Sequence, residues 1–202
     1  MRIMSALLLL VFAYLLGSLP IGLIVGKAVK GIDVREHGSG NIGASNVGRV
    51  LGPVWFSVVF ALDVGKGLLP VLLVHRLGVS LAWLPVAVGM AAILGHNFSV
   101  FLGGKGGKGV ATSLGVAFGL SWLAGLIGFG TWLAVLGLTR YISVASLVGT
   151  AVGAFCIWWL NDKRLPYGCF SLLATVFVFV KHRANMARIR AGTEPKVRFK
   201  KK

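Results

Sequence analysis

The stretch VATSLGVAFGLSWLAGLIGFGTWLAVLGL, residues 110–138, decides how this 202-residue chain is folded. It runs for 29 residues without a charged side chain, whereas a membrane-spanning helix needs about 20. As one helix it gives the chain six spans and places the basic segments on both sides of a membrane. As two short or tilted spans, joined by a tight glycine-containing turn near residues 123–128, it gives seven and places those segments on one side.

The composition indicates that the solvent of this chain is lipid. The chain is 56% hydrophobic and 13% charged, with a mean hydropathy of +0.86, whereas soluble domains carry roughly 25% charged residues. The apolar runs are continuous rather than alternating, so they predict helices. The other runs are residues 3–26, 54–74, 81–98, 142–160 and 165–180. We predict an all-α polytopic membrane protein with a single domain over residues 1–202.

The basic residues set the orientation. The net charge is +16, from 21 basic and 5 acidic residues. With seven spans, sixteen Lys and Arg lie on one side, in loops 27–53 and 99–109, at Arg140 and in the tail 181–202, and four lie on the other. Cytoplasmic loops carry such an excess, so we predict an outer N-terminus and a cytoplasmic C-terminus. Anionic lipid or anionic substrates explain the charge; nucleic acid is not predicted, because the basic residues form no separate domain.

The first polar segment is HGSGNIGASNVGR, residues 37–49. Its glycines allow backbone N–H groups to converge on an anion, and Arg49 suits forked recognition of a phosphate. The alternative is a flexible turn between two spans. The candidate binding residues before Arg49 are Gly38, Ser39, Gly40, Asn41 and Asn46.

The second segment is GHNF at 95–98 followed by GGKGGKGVAT at 103–112. It is a glycine and lysine loop that opens a helix, and a helix N-terminus with unpaired N–H groups binds phosphate. It is not a Walker A loop, because Gly109 rather than Ser or Thr follows Lys108. The alternative is an ordinary basic cytoplasmic loop. The candidate binding residues are His96, Lys105, Gly106, Gly107, Lys108, Gly109 and Thr112.

The third segment is KHRANMARIRAGTE, residues 181–194. His182 and Asn185 are three apart and share a helix face; the alternative is a basic stop-transfer cluster. The acidic residues are scattered through the chain, so neither a metal site nor a cofactor is predicted. Asp63 and Lys66 lie inside the second span, where charges form an internal ion pair or face a cavity.

At these residues the chain resembles the membrane acyl-phosphate:glycerol-3-phosphate acyltransferases of the PlsY type. The resemblance covers all three motifs in order and also residues 63–67, with departures at Ser45, Ser99 and Gly104. It implies transfer of an acyl group from acyl-phosphate to the 1-hydroxyl of glycerol 3-phosphate, which gives 1-acyl-glycerol 3-phosphate (lysophosphatidic acid). That is the first step of phospholipid synthesis, at the cytoplasmic face of the inner membrane.

The resemblance also implies substrate-binding or catalytic roles for Ser39, Arg49, Lys108, His182 and Asn185. The glycine loop 103–109 would hold the acyl-phosphate. Arg49 and either Lys105 or Lys108 would neutralise phosphates, and the polar groups of Ser39, Asn41, Asn46 and Asn185 would donate hydrogen bonds. His182 or the acceptor's own phosphate would be the base. The implied partners are both substrates, membrane lipid and the enzyme that makes the acyl-phosphate.

Two other classes of protein use similar residues. A transporter or channel for a phosphorylated anion would need polar groups near the membrane midplane, where only Asp63 and Lys66 are expected. A CDP-alcohol phosphotransferase would need several aspartates as metal ligands, and the chain lacks them. The three polar segments on one face favour the acyltransferase.

Overall fold

The structure is a computed structural model that describes residues 2–162 and 164–197. Within these ranges all regular structure is helical, which confirms the all-α prediction. Two short 3-10 turns, at Val34–Glu36 and Val100–Leu102, lie in the loops. The α-helices are α1 (Arg2–Ser18), α2 (Ile21–Lys30), α3 (Ala44–Leu51), α4 (Pro53–Arg76), α5 (Leu84–Asn97), α6 (Val110–Leu120), α7 (Trp122–Thr139), α8 (Ile142–Leu160), α9 (Leu165–Lys181) and α10 (Arg183–Arg190).

The contacts divide the chain into two compact units. The first extends to Leu120 and contains α1 to α6; the second begins at Ser121 and contains α7 to α10. Residues 198–202 of the predicted basic tail lie outside the described residues. Each unit carries part of the polar segments.

Within the part of the chain that the structure describes, five segments are long and apolar enough to cross a membrane, judged by length and composition. They are Ile3–Lys30, Pro53–Arg76, Leu84–Leu102, Trp122–Thr139 and Ile142–Leu160. Helices α9 and α10 qualify as a sixth only if they are counted as one segment that bends by 53°. Helix α6, with 11 residues, is shorter than the roughly 20 that a straight span needs.

The long apolar run is two helices, as the seven-span interpretation requires, but the expected position of the turn is wrong. The break falls at Ser121, which is extended (φ −161°, ψ 108°) and whose hydroxyl accepts a hydrogen bond from the N–H of Ala124. Serine commonly caps a helix in this way. The glycine at 128 packs instead against α8, where an added Cβ would lie 3.1 Å from the Cα of Gly153. Small residues in membrane helices allow such close packing.

Glycines also bring the helices of the first unit together. An added Cβ at Gly67 of α4 would lie 2.1 Å from the carbonyl oxygen of Thr112 in α6. An added Cβ at Gly95 of α5 would lie 2.2 Å from the carbonyl oxygen of Tyr14 in α1. These approaches fix the end of α5 and the start of α6, between which the glycine loop runs.

A small apolar core supports the segment 37–49. The amphipathic helix α3 buries Ala44 and Val47 against Val25 of α2, Val34 of the first 3-10 turn and Val59 of α4. Burial of a valine side chain away from water contributes roughly 1.5–3 kcal/mol. The polar residues that precede α3 are therefore held against a packed base.

Candidate active site

Asn46 organises the first polar segment from inside. It is 1% exposed, and its side-chain amide donates to the carbonyl oxygens of Val34 (2.8 Å) and His37 (3.0 Å). Its Oδ1 accepts from the backbone N–H of Ser39 (2.7 Å) and from the Ser39 hydroxyl (3.1 Å). Both donors and both acceptor positions of the amide are used within the protein, so Asn46 holds the loop 37–40 around itself.

The other predicted residues of this segment lie nearer its surface. Gly38 and Gly40 have φ of +61° and +69°, a region that glycine adopts without strain, and both are exposed together with Ser39. The side chain of Asn41 accepts from the N–H of Gly43 (2.9 Å) in a turn before α3. Arg49 is exposed in the last turn of α3.

A second arginine of the same loop is committed to an internal ion pair. Arg35 donates to both carboxylate oxygens of Asp33, with its Nη2 2.6 Å from Oδ2. Hydrogen bonds from the side chain and backbone of Arg35 lower the pKa of Asp33 to about 2. Such forked pairs occupy the planar face that a phosphate would use. The guanidinium of Arg35 is therefore engaged by Asp33.

The second segment forms a glycine loop, residues 103–109, that leads directly into α6. The loop is tied to the end of α5, because the N–H of Gly107 donates to the carbonyl oxygen of His96 (2.9 Å). Ser99 anchors the segment before it to α1 by donating to the carbonyl oxygen of Ser18 (2.6 Å). Lys105 is exposed and Lys108 half-buried. Two cationic side chains thus flank the N-terminus of a helix, an arrangement suited to an anion.

The remaining predicted residues of this segment lie beneath the loop. His96 and Thr112 are 4% and 0% exposed, and the Nε2 of His96 packs against Gly107. In the span below, the Nζ of Lys66 lies 2.8 Å from the Oδ1 of Asp63. The internal ion pair expected from the sequence is therefore present in the structure.

In the second unit, His182 lies at the junction of α9 and α10. It is 3% exposed, and its Nδ1 is 2.8 Å from the carbonyl oxygen of Val178. A carbonyl can only accept, so Nδ1 carries the proton. In the neutral ring Nε2 then carries the lone pair, as a general base requires.

Asn185 is held by a carboxylate that the sequence analysis did not select as a site residue. Its amide N–H₂ donates to the Oε1 of Glu194 (2.7 Å). The same carboxylate accepts from the hydroxyl of Ser143 (2.8 Å) and from the Nε of Arg188 (2.7 Å). The sequence feature that could have indicated its role is that Glu194 is the single acidic residue of the strongly basic segment 181–194. The amide nitrogen of Asn185 therefore faces Glu194, and this contact fixes the orientation of the amide.

Electrostatics favour the charged form of Glu194. Burial raises the pKa of this carboxyl, but the hydrogen bonds from Asn185, Ser143 and Arg188 outweigh that effect and hold it below its usual value. The chain after it is also fastened to the connection between α7 and α8: the N–H of Val197 donates to the carbonyl oxygen of Arg140 (2.8 Å). The segment 182–197 is therefore a folded part of the second unit.

The structure thus groups the predicted residues within two sets. Ser39, Asn46 and the glycine loop belong to the first unit, and His182 and Asn185 to the second. Among residues 2–162 and 164–197, no three His, Cys, Asp or Glu side chains lie together as metal ligands. The fold and these sets define an integral membrane protein that carries basic and glycine-rich segments next to the ends of its helices.

Comparisons with known proteins then identify the family. The sequence profile described as glycerol-3-phosphate acyltransferase matches residues 7–192. A glycerol-3-phosphate acyltransferase of Parasynechococcus marenigrum (strain WH8102) is 47% identical over 96% of this chain and 91% of its own length. One from Desulforudis audaxviator (strain MP104C) is 42% identical over the full length of both chains.

A solved structure agrees with these sequence relatives. The crystal structure of PlsY (YgiH), an integral membrane glycerol 3-phosphate acyltransferase in its glycerol 3-phosphate form, superposes with a TM-score of 0.90. It is 38% identical, and the match covers 96% of each chain. The chain belongs to the glycerol-3-phosphate acyltransferase family, as its three motifs predicted.

Proposed function

We propose that this protein transfers a fatty acyl group from acyl-phosphate to the 1-hydroxyl of glycerol 3-phosphate. The products are 1-acyl-glycerol 3-phosphate, a lysophosphatidic acid, and inorganic phosphate. The observation that carries the proposal is the family match over residues 7–192, which includes the first two polar motifs and the third as far as Gly192. The similar crystal structure described as a glycerol 3-phosphate form supports the acceptor, and the motifs that resemble acyl-phosphate-dependent enzymes support the donor.

The glycine loop and the start of α6 would hold the phosphate of the donor. Lys105 and Lys108 supply positive charge, and the backbone N–H groups at the start of α6 supply hydrogen bonds. Arg49 would clamp the phosphate of the acceptor with its forked guanidinium. Ser39, whose loop Asn46 holds in place, would contact substrate from the same segment.

The reaction exchanges one acyl–oxygen bond for another. The 1-hydroxyl oxygen of the acceptor attacks the carbonyl carbon of the mixed anhydride, an ester bond forms, and the bond between that carbon and the phosphate oxygen breaks. The hydroxyl proton passes to Nε2 of His182 or to the acceptor's own phosphate. Phosphate is a good leaving group, so positioning and charge neutralisation supply most of the rate enhancement.

We further propose seven spans, with α6 as a short or tilted one, an N-terminus outside and a C-terminus in the cytoplasm. The excess of Lys and Arg in the loops 27–53 and 99–109 and in the tail 181–202 supports this orientation. The proposed substrate-binding residues would then lie on the cytoplasmic side of the inner membrane. Cysteine labelling from each side, at single sites in the segments 38–49, 103–112 and 181–194, tests it. Segments that label from opposite sides would exclude a common active site.

The activity is tested with the purified protein in detergent. We expect it to release inorganic phosphate from a defined acyl-phosphate only when glycerol 3-phosphate is added, and to form lysophosphatidic acid in equal amount. If lysophosphatidic acid forms with acyl-CoA or acyl carrier protein as donor but not with acyl-phosphate, the proposed donor is wrong. A transporter of phosphorylated anions would release no phosphate in this assay.

A further inference from the structure

We propose that Asp63, Lys66 and His96 form a buried positioning cluster that holds the backbone of the glycine loop in its phosphate-binding conformation. The inference rests on the proposed function, because it assigns the loop to a phosphate-bearing substrate. The carboxylate of Asp63 contacts both Lys66 and His96, and His96 in turn contacts the loop from below its surface. The three are therefore positioning residues and not catalytic ones.

The cluster is a continuous chain of contacts inside the first unit. Asp63, Lys66 and His96 are 2%, 4% and 4% exposed. The Nζ of Lys66 lies 2.8 Å from the Oδ1 of Asp63 and donates to the carbonyl oxygen of Leu19 (3.0 Å), at the break between α1 and α2. The Nδ1 of His96 is 3.7 Å from the same Oδ1 of Asp63, an electrostatic contact that is too long for a direct hydrogen bond.

The other edge of the imidazole contacts the glycine loop. A Cβ built on Gly107 would lie 2.1 Å from the Nε2 of His96, so the ring is in close contact with the loop backbone. The carbonyl oxygen of His96 accepts the N–H of Gly107, and an added Cβ at Gly106 would lie 2.1 Å from that oxygen. One residue of α5 thus fixes two consecutive loop residues, between Lys105 and Lys108.

The charges explain why the ring has one orientation. Ionisable groups inside a membrane span are costly and persist when they serve a specific site. Here the carboxylate of Asp63 is neutralised by Lys66, and Lys66 is fixed in turn by the carbonyl oxygen of Leu19. An apolar residue at position 63 or 66 would fill the space but would not orient the imidazole. The cluster therefore links the interior of the bundle to the position of the loop N–H groups.

The first test separates positioning from catalysis. We expect His96→Ala and the shape-preserving Asp63→Asn to lower kcat/KM by up to about 10²-fold, through a rise in KM for the phosphate substrate that the loop binds and with kcat largely kept. KM is measured separately for acyl-phosphate and for glycerol 3-phosphate; a rise for either supports the cluster and identifies the phosphate on the loop. A loss confined to kcat would overturn the inference.

The second test uses the close approach at Gly107. Gly107→Ala introduces a methyl group against the imidazole and should raise the same KM. In the double variant Gly107→Ala/His96→Ala the ring is gone, so the methyl group has space and the combined loss should be clearly smaller than the product of the two single losses. If the loss in the double variant equals the product of the two single losses, the imidazole does not press against the loop at Gly107.

The control is His75→Ala, an exposed histidine in the last turn of α4, the helix that carries Asp63 and Lys66. It should leave both KM values unchanged. Melting temperatures in detergent for all four members of the Gly107 and His96 set provide a readout that needs no turnover. If the melting-temperature changes of the four proteins are not additive but the wild type is inactive, the proposed function alone is rejected. An active wild type without coupling in either readout would reject the positioning cluster alone.

Discussion

The carboxylate of Glu194 accepts a 2.7 Å hydrogen bond from the side-chain amide of Asn185, nine residues earlier in the chain. The same carboxylate, with its side chain 2% exposed, pairs with the Nε of Arg188 at 2.7 Å. A carboxylate offers acceptors only, so it fixes which end of the Asn185 amide faces Glu194. The orientation of a candidate catalytic amide therefore depends on a residue that has no direct role in the proposed reaction.

Replacement of this carboxylate tests the arrangement. Glu194→Gln leaves one acceptor oxygen for the donors of Ser143, Asn185 and Arg188, so we expect a loss of about 1–3 kcal/mol in stability and at least a tenfold lower kcat/KM. Melting temperature and steady-state kinetics in detergent measure the two effects. A fully active variant of unchanged melting temperature would show that the network does not orient Asn185.

The same carboxylate gives a prediction about pH. Because the pKa of Glu194 is lowered in the folded protein from its usual value of 4.5, its stabilising contribution is complete above that usual value and is lost as the pH falls through the lower, folded one. We expect the wild-type melting temperature to fall more steeply than that of Glu194→Gln as the pH is lowered below about 4.5. Asp162→Asn, at an exposed pair with Arg164, is the matched control and should follow the wild-type curve. Parallel curves for wild type and Glu194→Gln would contradict the prediction.

His182 is expected to be the general base, because the carbonyl of Val178 sets the tautomer in which Nε2 is basic. His182→Ala should lower kcat by about 10²–10⁴-fold with both substrates saturating, while His75→Ala should not change it. A much smaller loss would assign the proton transfer to the acceptor's own phosphate.

Arg49 is expected to act through its fork and not only through its charge. Arg49→Lys keeps the charge but loses bidentate recognition of phosphate, so the KM for glycerol 3-phosphate should rise about tenfold or more while kcat changes less. Arg76→Lys, at the far end of α4, makes the same chemical change away from the site. If the two variants have the same KM, Arg49 does not clamp the acceptor.

Asn46 is expected to stabilise the loop 37–40 without touching substrate. Asn46→Asp replaces two amide donors by an acceptor facing the carbonyls of Val34 and His37, which should cost about 3 kcal/mol. Asn41→Asp preserves an acceptor for the N–H of Gly43 and should keep the melting temperature. Equal melting temperatures for the two variants would contradict this assignment.

Much of the site could be read from residue types, but the partners of its polar groups could not. The glycine and lysine pattern before α6 predicted a loop that opens a helix, and the structure has one there. The sequence proposed Asn46 and His96 as substrate groups, yet both are buried and contact the protein's own loops. An amide or an imidazole forms similar hydrogen bonds with a backbone as with a ligand, so its chemistry alone does not identify the partner.

The break in the long apolar run shows the same limit. Glycine suits both turns and close helix packing, and the density of glycines between 123 and 128 suggested a turn there. The structure uses Ser121 as the helix cap and Gly128 for packing against α8. A glycine in a turn and a glycine at a helix contact differ only in whether another helix lies against the glycine. The local sequence does not contain that information.

The sequence by itself determined the helical membrane class, the positions of the main apolar helices, the three polar motifs and the family they identify. Those features follow from hydropathy, charge and residue order, which act locally along the chain. The tertiary structure decided that His96 lies beside Asp63 and beneath the glycine loop, and that Glu194 holds Asn185. Such contacts depend on which segments approach one another, and the shapes of all the packed side chains together set that approach.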